Sequence, residues 1–296
     1  MKVERTETWE HGTTTMSATT QSPMVTTALA QAAAERESQQ EGILRYKDLL
    51  LMLIWRDIKI RYKQSIMGFF WAVLMPILIV GSGLIVMVVF STISGHPINK
   101  LDVLSVAAKA VPWAFFVGAI RFGTNSLVAN KELVTKIYFP RAIMPLASVL
   151  ASFFDFVIAE AVLALVLVIA RVGVSIQLLW FPVLLLVLMI FTAGLSLLLA
   201  CANLFFRDVK YLVEVVLTYG IFFTPVFYSA GKLGKLGWIL MLNPLGPILE
   251  GMGNALVLHQ PLAVNWLLYA AAWSVALFLV AWKIFDKSEA AFAEAI

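Results

Sequence analysis

The sequence predicts an all-α membrane protein with six transmembrane helices, and three observations carry that prediction. Hydrophobic residues make up 61% of the 296 positions and charged residues only 14%, against roughly 45–50% and about 25% in ordinary soluble chains. The apolar residues gather into six stretches, roughly 67–93, 110–129, 142–170, 179–203, 211–230 and 262–284, each close to the ~20 residues a helix needs to cross a bilayer. The basic residues lie almost entirely between these stretches, and unevenly on the two sides.

Residues 1–42 come first. They are rich in Thr, Ser, Gln and Ala ("HGTTTMSATTQSPMVTTALAQ"), too polar to bury a core, and are expected to form a disordered tail. The alternative is a tail that binds a partner. The tail holds no apolar h-region, so no cleavable leader is expected. Residues 43–65 follow, with Arg56, Lys59, Arg61 and Lys63 set directly against the first apolar run. At 100° per residue, Arg56, Lys59 and Lys63 share one arc, and Leu51, Ile54, Trp55, Ile58 and Tyr62 occupy the opposite one. Such a helix lies in the interface, its basic face toward anionic lipid headgroups. The simpler reading is that these charges only set topology, and Asp57 and Ile60 do blur the pattern.

An even number of crossings places both termini on one side. The segment before the first crossing, the second-to-third and fourth-to-fifth connections and the C-terminal end hold sixteen Lys and Arg residues, against five on the other side (Lys100, Lys109, Arg171, Lys232 and Lys235). By the positive-inside rule the termini are cytoplasmic. The net charge of +4 therefore belongs to the membrane borders, and no nucleic-acid partner is expected.

Three charges fall inside the crossings. Arg121 in the second and Glu160 in the third lie at nearly equal depth at about 1.5 Å per residue, with Asp155 deeper; this favours an Arg121–Glu160 ion pair, because an unpaired charge there costs at least about 2.5–3.5 kcal/mol. The alternative is a water-filled path lined by some of the three. Toward the end of the fifth crossing Pro225 predicts a kink. The connection 231–261 carries Gly231, Gly234, Gly237, Pro244, Gly246, Pro247, Gly251 and Gly253 among apolar patches. It is too broken to span and fits short half-helices re-entering from the outer side, tolerable where protein or water satisfies the backbone.

Catalytic chemistry is not legible. His11, His96 and His259 are far apart, Cys201 is the single cysteine, and no H-E-x-x-H, G-x-S-x-G or paired-cysteine pattern occurs, so no metal site or catalytic residue is expected. The nearest phosphate-loop look-alike, "GKLGKLG" at 231–237, has the wrong spacing. Any nucleotide would have to be hydrolysed by another chain.

"RDIKIRYKQSIMGFFWAVLMP" (56–76), "VPWAFFVGAIRFGTNSLVANKELVTKIYFPRAIMPLASVL" (111–150), "NLFFRDVKYLVEVVL" (203–217), "TPVFYS" (224–229), "LNPLGPILEG" (242–251) and "FDKSEAAFAEAI" (285–296) occur in order. Together they resemble the permease subunits of polysaccharide-exporting ABC transporters, the family that moves O-antigens, capsules and teichoic acids. The resemblance runs over about residues 43–296. It implies six helices in residues 66–284, a cytoplasmic C-terminal tail over 285–296, a permease homodimer, two copies of a separate ABC ATPase subunit holding ATP and Mg, and an undecaprenyl-linked polysaccharide substrate in the bacterial inner membrane. It implies that 43–65 runs beside the ATPase, with Arg56, Lys59 and Lys63 serving coupling as well as docking. It also implies that 130–140, "NKELVTKIYFP", is a coupling helix. A short charged segment ended by Pro140 suits that role, with Asn130 placed to cap it and Lys131, Glu132 and Lys136 exposed; the alternative is an ordinary connector. The outer pair in 231–261 would narrow the exit.

For a glycan, the expected contacts are aromatic faces: Phe222, Phe223, Phe227 and Tyr228 beside the kink, with Trp113 and Phe116. The competing expectation for any one of them is core or lipid packing, since the chain contains 20 Phe. At "GMGNALVLHQ" (251–260) the chain lacks the arginine that often follows the "NP…E" segment in the family, which weighs against a headgroup-binding role for this loop. The expected function is thus the membrane subunit of an ATP-driven exporter of a lipid-linked polysaccharide, with no catalytic site and no cofactor of its own. A drug or small-lipid exporter of the same fold is the nearer alternative, and a membrane enzyme or channel without an ATPase the farther one.

Overall fold

The computed structural model describes residues 46–63, 70–94, 98–136, 139–231, 234, 237–289 and 292. The tail expected over 1–42 lies outside them. Every regular element among the described residues is helical, as a lipid-facing backbone requires when water is absent to satisfy it. In order these are α1 (46–63), α2 (Phe70–Ser94), α3 (Lys100–Ala129), α4 (Lys131–Lys136), α5 (Ile143–Ile169), α6 (Phe181–Phe205, entered by a 3-10 turn from Ile176), α7 (Val209–Gly220), α8 (Gly237–Met241), α9 (Leu245–Gly253, continued as a π-turn to Leu258) and α10 (Val264–Ser288).

Among the described residues four segments are long and apolar enough to cross a membrane: α3, α5, Ile176–Phe205 and α10. α2 carries a shorter apolar stretch, Val73–Val89. The fifth expected crossing, 211–230, is not one helix. α7 stops at Gly220, a 3-10 turn covers Ile221–Phe223, and Thr224 is extended (φ −125°, ψ 137°) ahead of Pro225. The reason is local, because the residue before proline is driven out of helical geometry. The second expected crossing, 110–129, starts ten residues too late, since α3 already begins at Lys100.

α3 is the centre of the bundle. It packs on α5 and α6, α6 packs on α10, and α2 lies against α3. Within a membrane such contacts depend on small residues that let backbones approach. A Cβ at Gly194 of α6 would sit 2.8 Å from the Phe278 backbone of α10, and a Cβ at Gly123 of α3 would land on the Ser196 hydroxyl of α6. Two buried hydroxyls bond to the preceding turn of their own helix: Thr192 donates to Leu188 O (2.7 Å) and Ser274 to Ala270 O (2.7 Å). Exposed Val162, Leu165, Val168, Leu268, Trp273 and Leu279 coat the outside of α5 and α10, as lipid contact demands.

The bundle therefore has two ends. One carries α4, the 206–208 connection and the C-terminal end of α10. At the other lie the 171–175 connection, the turn 224–230, α8 and α9, with Gly173 against His259 beyond the π-turn.

Candidate functional site

A cleft of about 650 Å³ opens between α1, α2, α3, α5 and α7. Its floor is polar. Arg61 Nη1 donates to Asp155 Oδ2 at 2.7 Å and its Nη2 to Ser152 Oγ at 3.2 Å, and Tyr62 donates to the other Asp155 oxygen. The Arg61 guanidinium also lies 3.8 Å from the Phe122 ring centroid. Burial, followed by the hydrogen bond to Asp155, pushes the Tyr62 phenol above its ordinary range, so it stays a donor. The walls are Trp71, Trp113, Phe115, Phe122 and Phe156, with Arg121 and Thr218 at the side. A ring-lined slot with one charged floor suits an amphipathic ligand better than an ion.

α1 builds this floor through a spacing that the charge arc conceals. Asp57 and Arg61 stand four apart on one face, opposite Ser148, Ser152 and Asp155 of α5. Ser148 Oγ donates to Asp57 Oδ2 at 3.2 Å, and Arg56 bonds the other Asp57 oxygen at 2.8 Å. Asp57, which blurred the amphipathic pattern, is thus part of the seam to α5. Leu53 and Ile58 are buried beside that seam, whereas Leu51 and Trp55 stay exposed together with Lys59 and Lys63. The apolar arc is therefore split between protein contact and the outside.

The expected pairing of Arg121 with Glu160 does not form. Arg121 Nε and Nη2 each bond a Glu214 oxygen of α7 at 2.7 Å, a two-pronged pair in which both side chains are 45% exposed. Equal depth fixes height along the bundle, not the direction in which a side chain points, and Arg121 turns away from Glu160. Asp155 belongs to Arg61. Glu160, next to the cleft-lining Ala159, keeps Oε2 buried without a hydrogen-bond partner among the described residues.

The six aromatic candidates divide as well. Trp113 is a cleft wall. Phe116 is buried between Trp113 and Phe191, with ring centroids 5.6 and 6.1 Å away. Phe227 is buried against Phe222 and the Gly83 face of α2. These two rings are core, so they are not available to a passing ligand in this arrangement. Phe222 and Phe223 are exposed, and the Tyr228 hydroxyl is tied back to Phe222 O.

At the α4 end, Asn130 does not cap α4 through its side chain. Its Nδ2 donates back to Ser126 O (2.7 Å), closing α3, and only its carbonyl accepts from Leu133 and Val134 of α4. Lys131 and Glu132 are exposed; the side chain of Lys136 lies outside the described residues. Sequence reasoning missed the clasp behind this loop. Arg141 N–H donates to Glu289 Oε1 (2.9 Å) and its guanidinium to Glu289 O, and the guanidinium faces the Phe292 ring at 5.8 Å. Phe292 is fully buried against Phe205 and Phe285, in one cluster with Val134 of α4.

Lys109, counted by sequence with the connecting charges, is instead 1% exposed inside α3, bonded to Tyr228 O (2.7 Å) and paired with Glu250 (3.4 Å). Among the described residues no three His, Cys, Asp or Glu side chains converge as metal ligands.

The family signature described as ABC-2 type transporter matches residues 48–257, which takes in the seam, the cleft, α4 and α9. The chain belongs to the ABC-2 type transporter membrane family. Two proteins of Klebsiella pneumoniae named O-antigen export system permease protein RfbA are each 27% identical to this ABC-2 chain, over 249 and 253 residues; both alignments cover 83% of it and 94% of the relative. A protein of the same name from Myxococcus xanthus is 27% identical over 257 residues, covering 86% of the chain and 97% of the relative. The two ends and the cleft are thus parts of a transporter permease.

Proposed function

We propose that this ABC-2 permease is the membrane subunit of an ATP-driven exporter that moves a lipid-linked polysaccharide, of the undecaprenyl-linked O-antigen kind, across the bacterial inner membrane. The observation that carries this reading is the cleft. A charged floor of Arg61, Tyr62 and Asp155 below rings of Trp71, Trp113 and Phe122 matches a molecule with a charged linkage, sugars and a lipid tail. Sugars stack on rings through their apolar C–H faces, and such contacts slide. The relatives named as O-antigen export permeases support the same cargo.

In this reading the chain crosses the membrane six times, α2 and the α7-to-turn segment supplying the two crossings beyond the four long helices. Both termini are cytoplasmic, so the α4 end faces the cytoplasm. Two copies pair above two separate ATPase subunits, which hold ATP and Mg. Nucleotide-driven closure pushes on Lys131, Glu132 and Lys136 and on the Arg56, Lys59 and Lys63 face of α1. The motion opens the cleft for the headgroup, while Phe222 and Phe223 supply weak contacts along the exit. The permease makes and breaks no bond.

The deciding experiment deletes the gene and assays lipid-linked glycan on both membrane faces. Accumulation on the cytoplasmic face with loss from the surface is expected. An unchanged distribution with glycan synthesis intact would assign the cargo to a drug or small lipid.

A further inference from the structure

Lys109 is a lysine whose side chain is 1% exposed, enclosed by protein within α3. It stands nine residues from the start of a 30-residue helix, or about 14 Å from the end opposite α4 at 1.5 Å per residue. Its Nζ reaches two separate pieces of chain: Tyr228 O, in the turn after Pro225, and Glu250 Oε2, on α9. Those pieces also hold each other. Asn243, just before α9, donates from Nδ2 to Thr224 Oγ1 at 3.1 Å and accepts from Leu245 N at 3.2 Å. α9 lies close enough for Gly253 to rest on the Lys109 stem, where a Cβ would meet Lys109 Cγ and Cδ at 3.4 Å and Ser105 Oγ at 3.0 Å.

The same helix runs, at its far end, straight into the α4 loop, with Asn130 alone between Ala129 and Lys131. α3 runs as one helix from Lys100 to Ala129, with Pro112 inside it, so Lys109 and the α4 junction belong to a single element.

We propose that Lys109 is a positioning residue that pins the aromatic turn 224–228 and the half-helix α9 to α3 as one body, so that a push received at α4 is delivered to the opposite end of the permease. This rests on the transport reading for its direction, since α4 must be the driven end. The pin itself is a statement about three elements and stands or falls apart from the cargo.

The test uses the permease with its ATPase in lipid nanodiscs, in a Cys201→Ser background, Cys201 being the chain's one cysteine. Met252→Cys, a fully buried position on α9, reports the pin, and Leu197→Cys, fully buried on α6, is the control. Adding Lys109→Met should raise maleimide labelling at 252 by about tenfold, the change expected when a buried charged anchor no longer holds a segment closed, and leave 197 unchanged. ATP hydrolysis should continue while glycan exported per ATP falls. Where Lys109→Met does not assemble, Glu250→Gln, which keeps the shape of α9 and removes the charge, should raise labelling at 252 alone. Unchanged labelling at 252, or an equal rise at 197, would overturn the proposal. Failure of the unmutated complex to move glycan would count against the cargo and leave the labelling result to decide the pin.

Discussion

Two cations of α3, twelve residues apart, show what burial does to an ion pair in this protein. Lys109 is sealed, with Glu250 at 3.4 Å and a backbone carbonyl at 2.7 Å, their side chains 1% and 12% exposed. Arg121 meets Glu214 with better geometry, two bonds of 2.7 Å, yet both side chains are 45% exposed. Distance alone would rank the second pair as the stronger. Losing one partner of a buried pair strands a charge, whereas an exposed pair exchanges its bonds with water. The first therefore holds structure together. The second lies on the open surface of α3 and α7, where a polar neighbour would stabilise it.

The largest effect should come from Glu250→Leu, which leaves Lys109 buried without its carboxylate. A loss of about 3–5 kcal/mol is expected, read as a fall in the thermal midpoint of the detergent-solubilised protein. A loss below that of the arginine variants described next would reverse the ranking of the two pairs.

Arg61→Met comes second. It removes charge-assisted bonds to Asp155 and Ser152, each class of bond worth about 1.5–3 kcal/mol, while Tyr62 still holds Asp155. Stability should fall moderately and transport strongly, since the floor of the cleft loses its cation. Equal, proportionate losses in both would mean that Arg61 only joins α1 to α5.

Smaller still, a double-mutant cycle on Arg121→Gln and Glu214→Gln should give a coupling energy below about 1 kcal/mol. A coupling above that of Lys109 with Glu250, measured the same way, would show that Arg121 and Glu214 are enclosed in the working assembly. The smallest stability change belongs to the charge reversal Glu132→Lys with Lys136→Glu on α4. Its unfolding should be unaltered while ATP hydrolysis no longer drives export; unchanged export would remove α4 from the coupling path.

The same contrast explains what could be read from sequence. Hydropathy located α5, α6 and α10 to within a few residues, because a lipid-facing helix must be apolar along its whole length. It missed the first ten residues of α3, where Asp102 and Lys109 lower the apolar score although the helix continues. It also ran α7 through Gly220, since "IFFTPVF" is apolar whether or not it is helical. Partner choice was the harder problem. Depth counting set Arg121 level with Glu160, but azimuth decided for Glu214, 93 residues away in sequence. The wheel of α1 found Arg56, Lys59 and Lys63, yet Arg61 and Tyr62 do the joining to Asp155, with partners more than 90 residues distant that no local period encodes. The Arg141–Glu289–Phe292 clasp was hidden in the same way, though "FDKSEAAFAEAI" had already stood out as a segment.

Gly194 and Ser196 lie two residues apart on α6, and so on opposite sides of it. One admits the backbone of α10 and the other the face of α3. α3, α6 and α10 therefore form a closely packed laminate, α6 lying between the other two. Strain imposed on the protein has to be taken up elsewhere, in the polar α1–α5 seam and at the break after Gly220, where bonds can exchange without opening a void. The laminate is thus one block that a push at α4 shifts as a whole, and the seam and the break are the joints around it.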